Sequence, residues 1–179
     1  MSERSVKHKR VTVKVLTTAA MLTALSAVIG ILCKNYFTFN VYYRVTFENM
    51  PVILAGIVFG PGIGAAVGAI ADMISCISST NPNLNPIITL GAAAVGASAG
   101  FIPYIINKKG ALQTALAVGI AHLVGQVGIK SVGKIIYFAM PWQGIFIGLA
   151  ISAVVGAVEC WLICWLRSSR GISRYLEGK

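Results

Sequence analysis

The chain has 179 residues, 56% of them hydrophobic and only 11% charged, with a formal net charge of +10. A water-soluble domain carries about 25% charged residues, so a soluble globule is excluded; disorder is excluded as well, because disordered chains are poor in apolar residues. What remains is an all-α integral membrane protein whose partner is the lipid bilayer and not a nucleic acid, since the cations sit at the chain ends and between apolar runs.

The first ten residues are basic and precede an apolar run over 11–32. That run is longer than a signal-peptide core and is followed by others, so it reads as a retained first membrane helix. It supplies the roughly 20 residues needed to cross about 30 Å of hydrocarbon. Ala20 and Ala24 share one of its faces, with Ala19, Thr23 and Ala27 beside them; such a stripe suits internal packing or a partner protein equally. The next apolar stretch is interrupted by Phe59-Gly60-Pro61-Gly62. Proline restricts its predecessor and glycine allows a tight turn, which predicts two short helices over 47–59 and 63–78. Three more are expected over 85–106, 111–129 and 143–166, making a compact bundle of six transmembrane helices. The whole chain forms one membrane domain, a six-helix body over 11–166 between tails at 1–10 and 167–179. Gly56, Gly60, Gly64 and Gly68 recur every four residues, as do Gly96 and Gly100, a spacing that favours tight internal packing. Cys33, Cys76, Cys160 and Cys164 form no CxxC pair and read as small apolar packers.

Orientation follows from lysine and arginine beside short loops. With both termini cytoplasmic, Arg4, Lys7, Lys9, Arg10, Lys14, Lys108, Lys109, Arg167, Arg170, Arg174 and Lys179 lie inside, and Lys34, Arg44, Lys130 and Lys134 outside. The cytoplasmic turns are then minimal, whereas the external connections over 33–46, 79–84 and 130–142 have room for recognition.

Ionisable groups in a bilayer are costly and usually face protein or a water-filled cavity. Asp72 falls near the middle of the third helix and His122 near the middle of the fifth. At helical spacing His122, Gln126 and Lys130 form a polar stripe rising toward the outside, either a cavity wall or a satisfied core. Glu159, nearer the inner end of the sixth helix, suits a structural or partner-facing role. The outer loops mix rings with cations: Tyr36, Phe37, Phe39, Tyr42, Tyr43 and Phe47 around Lys34 and Arg44, then Tyr137 and Trp142 with Lys130 and Lys134. Tyrosine and tryptophan anchor proteins at headgroup depth, but rings interleaved with cations also suit a flat aromatic anion. Asn81, Asn83 and Asn85, held by Pro82 and Pro86, add amides. No P-loop, HExxH, GxSxG or cysteine–histidine cluster is present, so the chain is not read as an enzyme, and no metal is expected. Energy for uphill transport must come from ions or another subunit.

Arg44-Val-Thr-Phe-Glu-Asn-Met-Pro51, Ile53-Leu-Ala-Gly-Ile-Val-Phe-Gly-Pro61, Gly64-Ala-Ala-Val-Gly68-Ala-Ile-Ala-Asp72, Asn85-Pro-Ile-Ile-Thr-Leu-Gly91 and Ala20-Met-Leu-Thr-Ala24 together resemble the substrate-binding S components of energy-coupling factor (ECF) transporters. The resemblance runs from about Val11 to Leu166, and its RVTFENxP and FGP segments are most similar to the folate-specific branch. It implies a bacterial plasma-membrane protein that binds a vitamin in an outward-open pocket and works with a membrane T component and two cytoplasmic ATPases. It also implies that Ala20 and Ala24 contact the T component, and that folate is the cargo, with no cofactor. On this reading Arg44 and Lys130 pair with the carboxylates, and Tyr43, Tyr137 or Trp142 cover the rings. Asn85, Gln126 and His122 read the pterin edge, and Asp72 accepts from its amino group unless its role is structural. Pantothenate or riboflavin as ligand, an ion-coupled carrier using Asp72 and His122 as a proton relay, and a ligand-free membrane subunit are the competing readings.

Overall fold

A computed structural model describes residues 12–37, 45–80, 82, 84–106 and 110–168. Among these residues every regular element is helical: α1 (Val13–Tyr36), α2 (Asn49–Phe59), α3 (Pro61–Ile77), α4 (Pro86–Ile105), α5 (Ala111–Phe138) and α6 (Gly144–Ser168). Helices α1, α4, α5 and α6 are long and apolar enough to cross a membrane, while α2 and α3 have 11 and 17 residues. Residues 1–11 and 169–179 of the tails, the Lys108-Lys109 turn, and Tyr43 and Arg44 before Val45 lie outside the described residues, as do Asn81 and Asn83; Arg167 and Ser168, expected in the tail, belong to α6.

Local chemistry explains the boundaries. Gly60, with φ of 98°, closes α2 in a conformation open to glycine, and Pro61 starts α3 where its missing N–H costs nothing. Asn85 caps α4: its Oδ1 accepts from the backbone N–H groups of Ile87 and Ile88 at 3.1 and 3.4 Å, and Pro86 takes the first helical position. Helix α5 ends at Ala139, whose φ of 52° is left-handed, two residues before Pro141.

Helix α4 is central, packed against α2, α3 and α5; α1 lies on α2 and α3, and α6 lies mainly on α5. Lipid offers no hydrophobic drive for helix association, so close backbone approach has to supply the attraction. The expected glycine positions do this. Gly64 of α3 and Gly96 of α4 face each other so closely that a Cβ on either would collide with the other's backbone, and Gly100 abuts Pro61. Helix α2 is buried from Val52 to Ile57, with Val95, Ala99, Ala117, Ala121 and Ile163 completing the core. None of the four cysteines forms a disulfide; Cys33 and Cys76 are buried and the other two half-buried.

The two ends of the bundle differ. At one, the backbone N–H and hydroxyl of Thr80 both donate to Asn35 Oδ1, tying the loop after α3 to the end of α1. At the other, Arg167 donates to Gln113 and Thr114, and Gln113 Nε2 donates to the Ile106 carbonyl.

Two expectations require correction. Helix α5 does not stop at Ile129 but continues to Phe138, so the connection to α6 shrinks to a few residues. Lysines at 130 and 134 look like a loop, yet Lys130, Ser131 and Gly133 turn inward while Val132, Ile135 and Ile136 face outward. An amphipathic last turn with its polar side against protein keeps a membrane helix intact. Helix α1 likewise extends beyond residue 32 to Tyr36, carrying Lys34 within it.

Candidate functional site

Two buried polar networks and one cleft lie toward the end of the bundle where α1, α3 and α5 finish, and a third network crosses the middle of α5 and α6. In the first, Lys34 Nζ of α1 pairs with Asp72 Oδ1 of α3 at 3.4 Å and donates to Ser75 Oγ and, at 3.1 Å, Cys76 Sγ. Thr89 of α4 donates to Asp72 Oδ2 at 2.9 Å. Asp72 is 4% exposed. Both its oxygens accept from protein groups, so it fastens α1, α3 and α4 together. The second network joins Lys130 Nζ of α5 to Glu48 Oε1, just before α2, at 3.5 Å. Ser26 of α1 donates to the Glu48 carbonyl at 2.7 Å, and a Cβ added to Gly30 would sit 2.7 Å from Glu48 Oε2. Gly30 is thus the gap in α1 through which this carboxylate fits. Lys130 is 2% exposed and its stem lies against Gly91 of α4. In this arrangement its charge is met by Glu48, not by an incoming carboxylate.

The third network crosses α5 and α6. The ring of His122 bonds Ser152 Oγ through Nδ1 at 2.8 Å and Glu159 Oε2 through Nε2 at 2.7 Å. Glu159 is fully buried, which overturns a partner-facing role for it. Asp72 and His122 belong to separate networks, the first shared with α1 and α4 and the second with α6, so they do not form one relay.

Above His122, α5 and α6 part to form a cleft lined by Thr46, His122, Gln126, Val127, Ser131 and Lys134 on one side and Gly148, Ile151, Ser152 and Val155 on the other. It is narrow and open to the surroundings, enclosing about 30 Å³. A second, apolar recess shares His122, Val127 and Ser152 and is otherwise walled by residues such as Leu123, Leu149 and Gly156. Residues 122–129 of α5 are wound with π turns, which place about one extra residue in each turn. That winding splits the expected stripe: His122 and Gln126 face the cleft, while Lys130 is rotated toward α4 and Ser131 and Lys134 take its place. The Gln126 Oε1 atom is buried without a hydrogen-bond partner.

Of the expected ligand residues, the structure therefore brings His122 and Gln126 together. It assigns Asn85 to a helix cap, Asp72 to a three-helix clamp and Lys130 to an ion pair. Tyr137 and Trp142 are 55% and 66% exposed and do not line the cleft; Trp142 packs edge-on against Phe146 with centroids 6.3 Å apart. Sequence reading singled out Lys134 only as one of the outer cations, and it missed Thr46, Ser131 and Ser152 as cleft residues and Glu48 as the partner of Lys130. A π segment and a pairing between residues far apart in the chain leave no periodic signal. On α1, Ala19 and Ala27 are buried whereas Ala20 and Ala24 are exposed.

Residues 14–167 match the family described as "ECF transporter, substrate-specific component". The chain belongs to this family. Members are transporter components and not enzymes, so this is a membrane protein for substrate recognition. Its fold is similar to that in "Crystal structure of FolT bound with folic acid", with a TM-score of 0.71, 17% identity, and coverage of 88% of this chain and 96% of that one. At that identity the likeness establishes the fold. No curated protein matches the chain.

Proposed function

We propose that this S component captures folate with high affinity in the α5–α6 cleft and delivers it across a bacterial plasma membrane. All six helices span or enter the bilayer, both termini are cytoplasmic, and the cleft faces outside. A membrane T component and two cytoplasmic ATPases supply the energy, and folate is cargo, with no cofactor involved.

The observation that carries the vitamin is the likeness, over nearly its whole length, to a fold solved with folic acid bound, joined to a cleft of matching chemistry. Apolar walls from Val127, Ile151 and Val155 accept a ring system, and the Gln126 amide and the His122–Ser152 pair can meet a polar edge. Lys134 lines the same cleft and meets a carboxylate of the glutamate tail in place of Lys130; Arg44 and Tyr43, from the loop that leads into Thr46, add a second cation and a ring. Asp72 and Asn85 act from behind as structural supports, and Tyr137 and Trp142 hold the outer end at headgroup depth.

Equilibrium binding of folate, riboflavin and pantothenate to the purified full-length protein tests the reading. Folate should bind well above the other two. Riboflavin or pantothenate bound with no folate binding would replace the vitamin and keep the family role. Lys134→Ala should weaken folate about tenfold, the worth of one charge-assisted contact.

A further inference from the structure

We propose that Ser152 is a hydrogen-bond donor to the ligand at the floor of the cleft, its hydroxyl proton turned outward by a Glu159–His122 pair that keeps one shared proton. Where the ligand is concerned, the proposal rests on the folate reading above.

The argument begins with charge. Glu159 is fully buried in α6, and its Oε1 has no hydrogen-bond partner. An isolated carboxylate there is strongly disfavoured. The other charged groups that act on it, Glu48 and Lys130, are paired with each other. Its compensation must therefore come from His122, 2.7 Å away.

A neutral pair whose proton lies in the Oε2–Nε2 hydrogen bond has two forms. Either the carboxylate faces an imidazolium, or a protonated carboxyl donates to Nε2 of a neutral ring. The proton differs only in its place along the Oε2–Nε2 bond. In both forms Nδ1 carries a hydrogen and donates to Ser152 Oγ across 2.8 Å. For Nδ1 to accept from Ser152, either a net negative charge must remain buried or the carboxyl proton must sit on Oε1, where it finds no acceptor.

Ser152 consequently receives a hydrogen bond and keeps its own proton to give. Several hydroxyls here spend theirs on the preceding helical turn: Thr17 on Val13, Thr23 on Ala19, and Ser98 on Ala94. Among the described residues Ser152 makes no such bond, and it lines the cleft. Glu159 is then a positioning residue acting through His122, and the floor selects an acceptor: a carbonyl oxygen or bare ring nitrogen on a flat heterocycle. Folate inserted ring-first, with its carboxylates near Lys134, presents the 4-carbonyl of its pterin.

Two measurements on the full-length protein in nanodiscs test this. Nitrogen-15 NMR of its histidines, His8 being assigned by His8→Gln, should show His122 Nδ1 protonated; an unprotonated Nδ1 overturns the proposal whatever the ligand. In the second, folate is compared with aminopterin, whose 4-amino group replaces the carbonyl with a donor. Wild type should prefer folate. Ser152→Ala should weaken folate roughly tenfold and bring the two affinities together, while Ser152→Thr retains the preference. A folate-to-aminopterin ratio unchanged in Ser152→Ala overturns the proposal. If wild type binds neither compound, the folate reading fails and the NMR result alone decides the donor assignment.

Discussion

Lys34 and Asp72 show how a membrane protein meets the cost of charge near its core. Each is almost wholly buried, and the carboxylate also accepts from Thr89, so three helices share one ionic knot. Removing one partner strands the other, whereas removing both can be nearly neutral. Asp72→Ala should therefore destabilise the protein by about 3–5 kcal/mol. Thermal unfolding in detergent should register a drop on the order of 10 °C. Lys34→Met combined with Asp72→Leu should recover much of the loss, and a double variant no better than Asp72→Ala would show that the pair is not the cause. The acidic residue was legible in the sequence as a costly group needing a partner, but its partner was not. Lys34 follows an apolar run and reads as a loop cation; only the extension of α1 to Tyr36 carries it alongside α3. His122 was similarly legible as a buried polar residue, while its two partners, 30 and 37 residues downstream on α6, were beyond any local pattern.

Among the helices, those bounded by strong local chemistry were the most legible. The Gly60-Pro61 step divides α2 from α3, and Asn85 with Pro86 opens α4, as backbone conformation requires. The four-residue glycine spacing correctly foretold internal packing, because only a missing Cβ lets α3 and α4 approach as they do. Gly96→Leu should therefore drive α3 from α4, since the new side chain meets Gly64 backbone that has no freedom to yield. The expected result is loss of the monodisperse peak in size-exclusion chromatography; Gly62→Leu, where a Cβ meets nothing nearby, is the control that should behave as wild type. Helix α5 was the least legible. Its lysines mark solvent in a scale of hydropathy, but here they point into protein, and its π turns shift the register at the cleft by about one residue per turn.

Taken as a whole, the molecule presents two kinds of surface: a polar cleft toward one end, with two of the buried charge networks beneath that end, and apolar flanks formed by α1 and α6. The proposed orientation puts the networked end outside. A cysteine at Lys109→Cys, in a background with the native cysteines replaced, should then resist a membrane-impermeant thiol reagent in whole cells and react after permeabilisation; reaction in whole cells would reverse the bundle. The flanks raise the question of which one meets other subunits. On α1, Ala20 and Ala24 are exposed and separated by one turn, so a helix from another protein can approach the backbone there, while Met21 and Leu25 beside them supply apolar area. On α6 the exposed positions include Phe146, Trp161 and Trp165, bulky groups that hold a neighbouring backbone away and suit lipid. The asymmetry favours α1 as the docking flank for the T component. It also predicts a separation of functions, because α1 contributes no residue to the cleft lining. Ala20→Leu with Ala24→Leu should leave folate affinity within about twofold, less than half a kcal/mol, yet abolish ATP-driven uptake in proteoliposomes containing the partner subunits. Uptake equal to wild type would remove α1 from the interface, and a parallel collapse of binding would mean that the substitutions had disturbed the fold.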